Sequence, residues 1–114
     1  MTNAPISKAW FEKMQGKESF VTRLFSVFLR EEPLRVTKIH TAVQDRDLEQ
    51  VKYLAHSLKG AAATMGAEPL RDTCLELEMA AKDNDEAAST LALEHLDTEI
   101  RRVYELMQDW LRQQ

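Results

Sequence analysis

The chain has 114 residues, 44% hydrophobic and 30% charged, with a net charge of −4. That length suits one compact globular domain and is too short for two, and the acidic balance excludes a general nucleic-acid binder, which needs a basic face. The single cysteine, Cys74, excludes an internal disulfide and a multi-cysteine zinc site, and no apolar run approaches the length of a membrane span.

The N-terminus, M-T-N-A-P-I-S-K-A-W, has no basic start followed by an apolar stretch. A signal peptide is therefore not expected, and the cytoplasm is the expected location. Alternating β-branched runs are missing, and helical periodicity extends over almost the whole chain. A short first helix is predicted over residues 7–15, capped by Ser7, with Trp10, Phe11 and Met14 as its apolar positions and Gly16 as its breaker. A second, longer helix is predicted over residues 18–44. Phe20, Leu24, Val27 and Phe28 line one face, continued by Val36, Ile39 and Val43. Pro33 interrupts it at a cost of ~3 kcal/mol, which predicts a kink or two helices meeting.

Asp47 caps a third helix, with Gln50 three residues on as in a capping box. Leu48, Val51, Ala55, Leu58, Ala62 and Met65 recur at steps of three and four, a clean buried stripe. Gly66 fits the left-handed residue that ends such a helix. The fourth helix has Pro69 in its first turn and Leu70, Cys74, Leu77 and Ala81 as its stripe. Asp85 caps the last helix, which runs to about residue 111 with Leu93, Leu96, Ile100, Val103, Met107 and Trp110 on one face. The expected architecture is all-α: an up-down antiparallel four-helix bundle over residues 17–112, preceded by the short N-terminal helix, in a single domain of residues 1–114. A monomer is expected, because one bundle can bury all five stripes.

Residues 55–67 read A-H-S-L-K-G-A-A-A-T-M-G-A. His56 lies one residue past the stripe position Ala55, hence about 100° around the helix. Its own row is Lys52, His56, Lys59, Gly60 and Ala63: two cations, one titratable ring and two very small residues. Glycine costs about 1 kcal/mol relative to alanine inside a helix, and nothing local demands Gly60. Clearance for an approaching surface is the benefit it offers. A neutral imidazole with a free lone pair is a nucleophile for phosphoryl transfer, a reaction that is mostly positioning and charge stabilisation. The Lys59 ammonium beside the ring favours its neutral form and then meets the oxygens of a dianionic phosphoryl group. If the third and fourth helices are antiparallel about the Gly66–Ala67 turn, Glu78 lies level with His56. A carboxylate there can accept from Nδ1, fix the tautomer and leave Nε2 free.

The run A-H-x-L-K-G, five residues, then G-A resembles the signature of histidine-containing phosphotransfer (HPt) domains. Phe28-Leu29 with Pro33 looks like that family's second helix, Asp47 like the start of its active helix, and Leu70, Cys74 and Leu77-Glu78 like its L-x-x-x-C-x-x-L-E run. The resemblance spans residues 20–81; outside it, only helical character and length agree. It implies an intermediate of a His-Asp phosphorelay. Such a domain takes a phosphoryl group from the aspartyl phosphate of a receiver domain, in a response regulator or hybrid sensor kinase, and passes it to another receiver. It implies phosphate on Nε2 of His56, support from Lys59, room for the receiver at Gly60, and neither an ATP site nor kinase activity. No cofactor or metal is expected in this chain; the Mg²⁺ needed for transfer belongs to the receiver. Glutamine is common in some family members where this chain has Glu78. Docking is expected over helices one to three, with some of Trp10, Phe11 and Met14 partly exposed beside His56, and Lys52 and Ala63 as further contacts.

Blander readings apply elsewhere. His40 and His95 lack the company of His56 and read as surface residues. No second histidine or cysteine stands at i+3 or i+4 from His56 to share a metal. Cys74 reads as a small core residue, and Glu31-Glu32 and Arg101-Arg102 as solvated pairs. Two rival functions are a non-catalytic helical interaction module and a small helical enzyme with His56 as general base. The latter needs a pocket and a second catalytic group.

Overall fold

The computed structural model describes residues 3–114; Met1 and Thr2, the start of the expected domain, lie outside the described residues. The described residues form five helices and no strand: α1 (Lys8–Lys13), α2 (Glu18–Gln44), α3 (Leu48–Thr64), α4 (Glu68–Lys82) and α5 (Glu86–Arg112). Three of them start at the acceptor side chains expected to cap them. Ser7 Oγ accepts from Trp10 N at 3.2 Å, Asp47 Oδ1 from Gln50 N at 3.2 Å, and Asp85 Oδ1 from Ala88 N at 3.0 Å. Each bond satisfies one donor that the first helical turn leaves free. The capping box at Asp47 is only half formed. Its own N–H donates back to Ala42 O at 2.9 Å and closes the end of α2 instead.

α3 packs on α4, α4 on α5, and α2 on both α3 and α5, which closes an antiparallel ring of four helices. Every residue of the predicted α3 stripe is buried, as is every residue of the α4 stripe. On α5, Leu93, Leu96, Ile100, Val103 and Met107 are buried, and Trp110 is half-buried with its ring edge against Phe25. Cys74 is a core residue, as its place on the stripe predicts; burial, chiefly, pushes its thiol up to about 12.

Of the two outcomes expected at Pro33, two helices meeting is ruled out: α2 is one continuous 27-residue helix through the exposed proline. The local cost of the proline is outweighed by packing along both ends of the same face. The buried face is rotated from the expected one. Val21, Phe25, Phe28, Ile39 and Ala42 are buried, whereas Phe20 is 49% exposed and Leu24, Val27, Val36 and Val43 are only half-buried. Phe25 stacks on Trp10 at 5.8 Å and Phe28 meets Tyr104 edge-on at 6.1 Å, so the aromatic neighbours choose the face.

Two expected solvated pairs are also corrected. Glu31 is exposed, but Glu32 is 4% exposed, because it continues the Phe25 and Phe28 row by one helical turn. Arg35 Nη1 lies 3.4 Å from Glu32 Oε1, and Glu32 Oε2 has no hydrogen-bond partner among the described residues. Burial pushes the Glu32 carboxyl up; Arg35 pulls against this and Glu31 adds to it. The Tyr104 hydroxyl is likewise buried without a partner among the described residues. Arg102 is half-buried, paired with Glu99 and donating to the Asn3 carbonyl, so it ties the N-terminal segment to α5.

Candidate functional site

α1 fastens to the far end of α3. Ser7 N donates to Gly66 O at 2.9 Å, and Trp10 Nε1 donates to Thr64 O at 3.0 Å. Gly66 has φ of 64°, as expected for the residue ending α3, and a Cβ there would lie 2.6 Å from Trp10 Cβ. The glycine is needed twice, for its backbone and for the approach of α1. Trp10 is therefore a core residue, 6% exposed, and the expectation that it lines a docking face is corrected. Its partner Thr64 lies eight residues beyond His56, about 12 Å along the helix axis. Trp10 thus seals the C-terminal end of α3 and does not stand beside the histidine. Phe11 and Met14 are half-buried, Lys52 is half-buried, and Ala63 is exposed.

His56 stands outward in the middle of α3 with its side chain 67% exposed. Its Nδ1 lies 2.9 Å from Glu78 Oε2 on α4, as the antiparallel register predicts. The other oxygen of the same carboxylate, Oε1, accepts from Lys59 Nζ at 2.6 Å. Lys59 is 25% exposed and Glu78 18%, so the ion pair is the sheltered floor beneath an exposed ring. Burial pushes the Glu78 carboxyl up, but the hydrogen bonds and charge of Lys59 and His56 outweigh it and hold the group below the ordinary carboxylate range. An ionised carboxylate accepts and cannot donate. The hydrogen in the His56–Glu78 bond therefore sits on Nδ1, and in the neutral ring the lone pair sits on Nε2.

Gly60 is exposed, and a Cβ built on it would meet nothing within 4 Å. No neighbour among the described residues requires the missing side chain. Lys52 extends the basic row; its Nζ pairs with Glu49 Oε1 at 3.0 Å and lies 5.5 Å from the centre of the exposed Tyr53 ring. Lys59, expected beside the ring to meet the phosphoryl oxygens, gives one of its three N–H donors to Glu78.

The Hpt domain family model matches residues 23–108. The chain belongs to the Hpt domain family. Its fold is similar to that of histidine-containing phosphotransfer protein B (HptB) from Pseudomonas aeruginosa PAO1, with a TM-score of 0.90 and 23% identity over 99% of each chain. It is also similar to the histidine-containing phosphotransfer protein ZmHP2 from maize, with a TM-score of 0.85 and 18% identity over 96% of this chain and 84% of that one. At these identities the likeness speaks for the fold. No curated protein matches the chain.

In this Hpt domain, His40 and His95 also turn out to have acidic partners. His40 Nε2 lies 2.8 Å from Asp97 Oδ1, and His95 Nδ1 lies 3.0 Å from Glu76 Oε2. Both pairs bridge helices across the bundle surface, and sequence periodicity gives no sign of either. Neither histidine has a lysine bonded to the same carboxylate, among the described residues. No group of three or more histidine, cysteine or acidic residues suited to a metal ion occurs among the described residues. No described helix is long and apolar enough to cross a membrane. A shallow groove of about 240 Å³ runs between α2 and α3, lined by Leu24, Val27, Glu31, Ala61 and Thr64 among others. It opens beside the Gly60 face, and the exposed Phe20 and Tyr53 add apolar surface on the same two helices.

Proposed function

We propose that His56 carries a phosphoryl group on Nε2, taken from the aspartyl phosphate of one receiver domain and handed to the aspartate of another. The observation that carries this reading is the geometry of one ring. It is two-thirds exposed, its Nδ1 is occupied by an ionised carboxylate, and its Nε2 makes no hydrogen bond among the described residues. In acceptance, the Nε2 lone pair forms the N–P bond as the receiver's O–P bond breaks. Glu78 fixes the tautomer, Lys59 supports the phosphoryl oxygens, and the open face at Gly60 gives the receiver room to approach. Receiver docking over α2 and α3 fits the groove and the exposed apolar residues there, with Phe11 and Met14 at its α1 margin and Lys52 and Ala63 beside the ring. The protein acts as a phosphocarrier without an ATP site, and the Mg²⁺ of the transfer step is brought by the receiver. A purely non-catalytic interaction module gives no reason for the Glu78–Lys59 floor under an exposed imidazole.

The test is incubation with a phosphorylated receiver. An acid-labile, base-stable label on His56, lost in His56→Gln, is the expected result. Absence of label across a panel of receivers overturns the reading.

A further inference from the structure

We infer that the Glu78 carboxylate keeps the Nδ1 proton on His56 after phosphorylation, so that the phosphorylated ring is held as a protonated, fast-transferring donor. The inference rests on the phosphoacceptor role proposed above and concerns what happens after acceptance. When the neutral ring attacks through Nε2, the new N–P bond uses the Nε2 lone pair while the proton stays on Nδ1. The ring then carries a formal positive charge beside the dianionic phosphoryl group. In water such a ring can release its Nδ1 proton. Here the proton points at a carboxylate oxygen 2.9 Å away, and the other oxygen of that carboxylate is anchored to Lys59 at 2.6 Å. A fixed anion at hydrogen-bond distance favours the charged form of its partner. An uncharged amide in the same place accepts the same hydrogen bond without that electrostatic hold.

The consequence is in the leaving group. On donation the N–P bond breaks and its electron pair returns to Nε2, while the P–O bond to the receiver aspartate forms. With Nδ1–H retained, the departing group is neutral imidazole. With the proton gone, it is imidazolate, a far poorer leaving group. Glu78 thus lets the phosphoryl group move in either direction with no proton entering or leaving the ring. The titratable and charged groups facing His56 and Glu78 are Lys52 and Lys59 from α3 and the buried Cys74 thiol from α4. α2 and α5 contribute no ion pair or hydrogen bond to either residue, among the described residues. The ionised state of Glu78 agrees with this arrangement, since its two basic partners outweigh its burial.

The experiment phosphorylates the intact protein with phosphoramidate and follows phosphoryl transfer to a receiver domain as a function of pH, for wild type and Glu78→Gln. Wild type is expected to vary by less than about twofold from about pH 6 to about pH 9, while Glu78→Gln falls about tenfold per pH unit on the alkaline side. Ring ¹⁵N shifts of phosphorylated wild type should show Nδ1 protonated at about pH 8. Parallel pH profiles, or an unprotonated Nδ1 in the wild-type spectrum, overturn the inference and leave the phosphoacceptor role standing. Failure of wild-type His56 to take any phosphoryl group removes both. If Glu78→Gln does not fold or accept phosphate, the wild-type spectrum alone decides.

Discussion

Glu32 is a buried carboxyl with one unpartnered oxygen among the described residues, and removing it should stabilise the protein. Its Oε2 is buried with no partner among the described residues, and its salt-bridge partner Arg35 sits at 3.4 Å. A buried polar atom left unsatisfied costs about 1–3 kcal/mol. Arg35 is 30% exposed and can rehydrate once its partner is gone. Glu32→Met, unbranched and adaptable in shape, is therefore expected to gain about 1–3 kcal/mol near neutral pH, or roughly 4 °C in Tm per kcal/mol for a domain of this size. The gain should depend on pH. The folded-state pKa of Glu32 is raised above its unfolded value. Its relative contribution is therefore fully present below the unfolded pKa and is lost as pH rises through the folded one. The variant's advantage should shrink in mild acid and reach its full size at neutral pH. Urea denaturation at two pH values measures both quantities. A loss of stability at neutral pH, or the same gain at both, refutes the assignment of the cost to this carboxylate.

Three further outcomes are expected. Gly60→Ala should stabilise α3 by about 0.5–1 kcal/mol in thermal melts, because the added methyl meets nothing, whereas Gly60→Leu should slow phosphoryl exchange with a receiver by about tenfold or more; full-speed transfer by the leucine variant would show that this face is not approached. Gly66→Ala should cost about 2–4 kcal/mol in chemical denaturation, since it combines a left-handed φ with a clash against Trp10; a near-neutral result would mean that α1 detaches at little cost. Lys59→Met should slow transfer by about 10- to 100-fold and raise the Glu78 titration followed by carboxyl ¹³C NMR, because Lys59 is the chief group holding that carboxyl down. Glu78's depressed pKa means that its stabilising share is present above the unfolded carboxyl pKa and lost as pH falls through the folded one. That acid-side loss should therefore shrink in the same variant.

The α3 and α4 stripes, the capping residues Ser7, Asp47 and Asp85, and the left-handed Gly66 were all legible in the sequence, because each is fixed by local spacing or local backbone chemistry. The level placement of His56 and Glu78 followed from the antiparallel register alone. α2 was less legible for a physical reason. Phe20, Val21, Leu24, Phe25, Val27 and Phe28 put apolar side chains on more than one face, so periodicity permits several orientations and the partners Trp10, Tyr104 and Trp110 decide among them. The burial of Glu32 was marked by its position one turn after Phe28, a signal outweighed by the expectation that adjacent glutamates stay in water. Lys59's bond to Glu78 belongs to tertiary geometry and left no trace in residue spacing.

The molecule carries its own negative controls. Three imidazoles are clasped by acids across neighbouring helices, and among the described residues only the one on α3 has an ammonium gripping the same acid and bare backbone one turn away. A screen keyed to acid-bound histidines would return all three. Labelling the intact chain therefore compares them under one set of conditions: if the pairing were sufficient, His40 and His95 would take up phosphate alongside His56, and if the surroundings matter, they stay blank in the same lane.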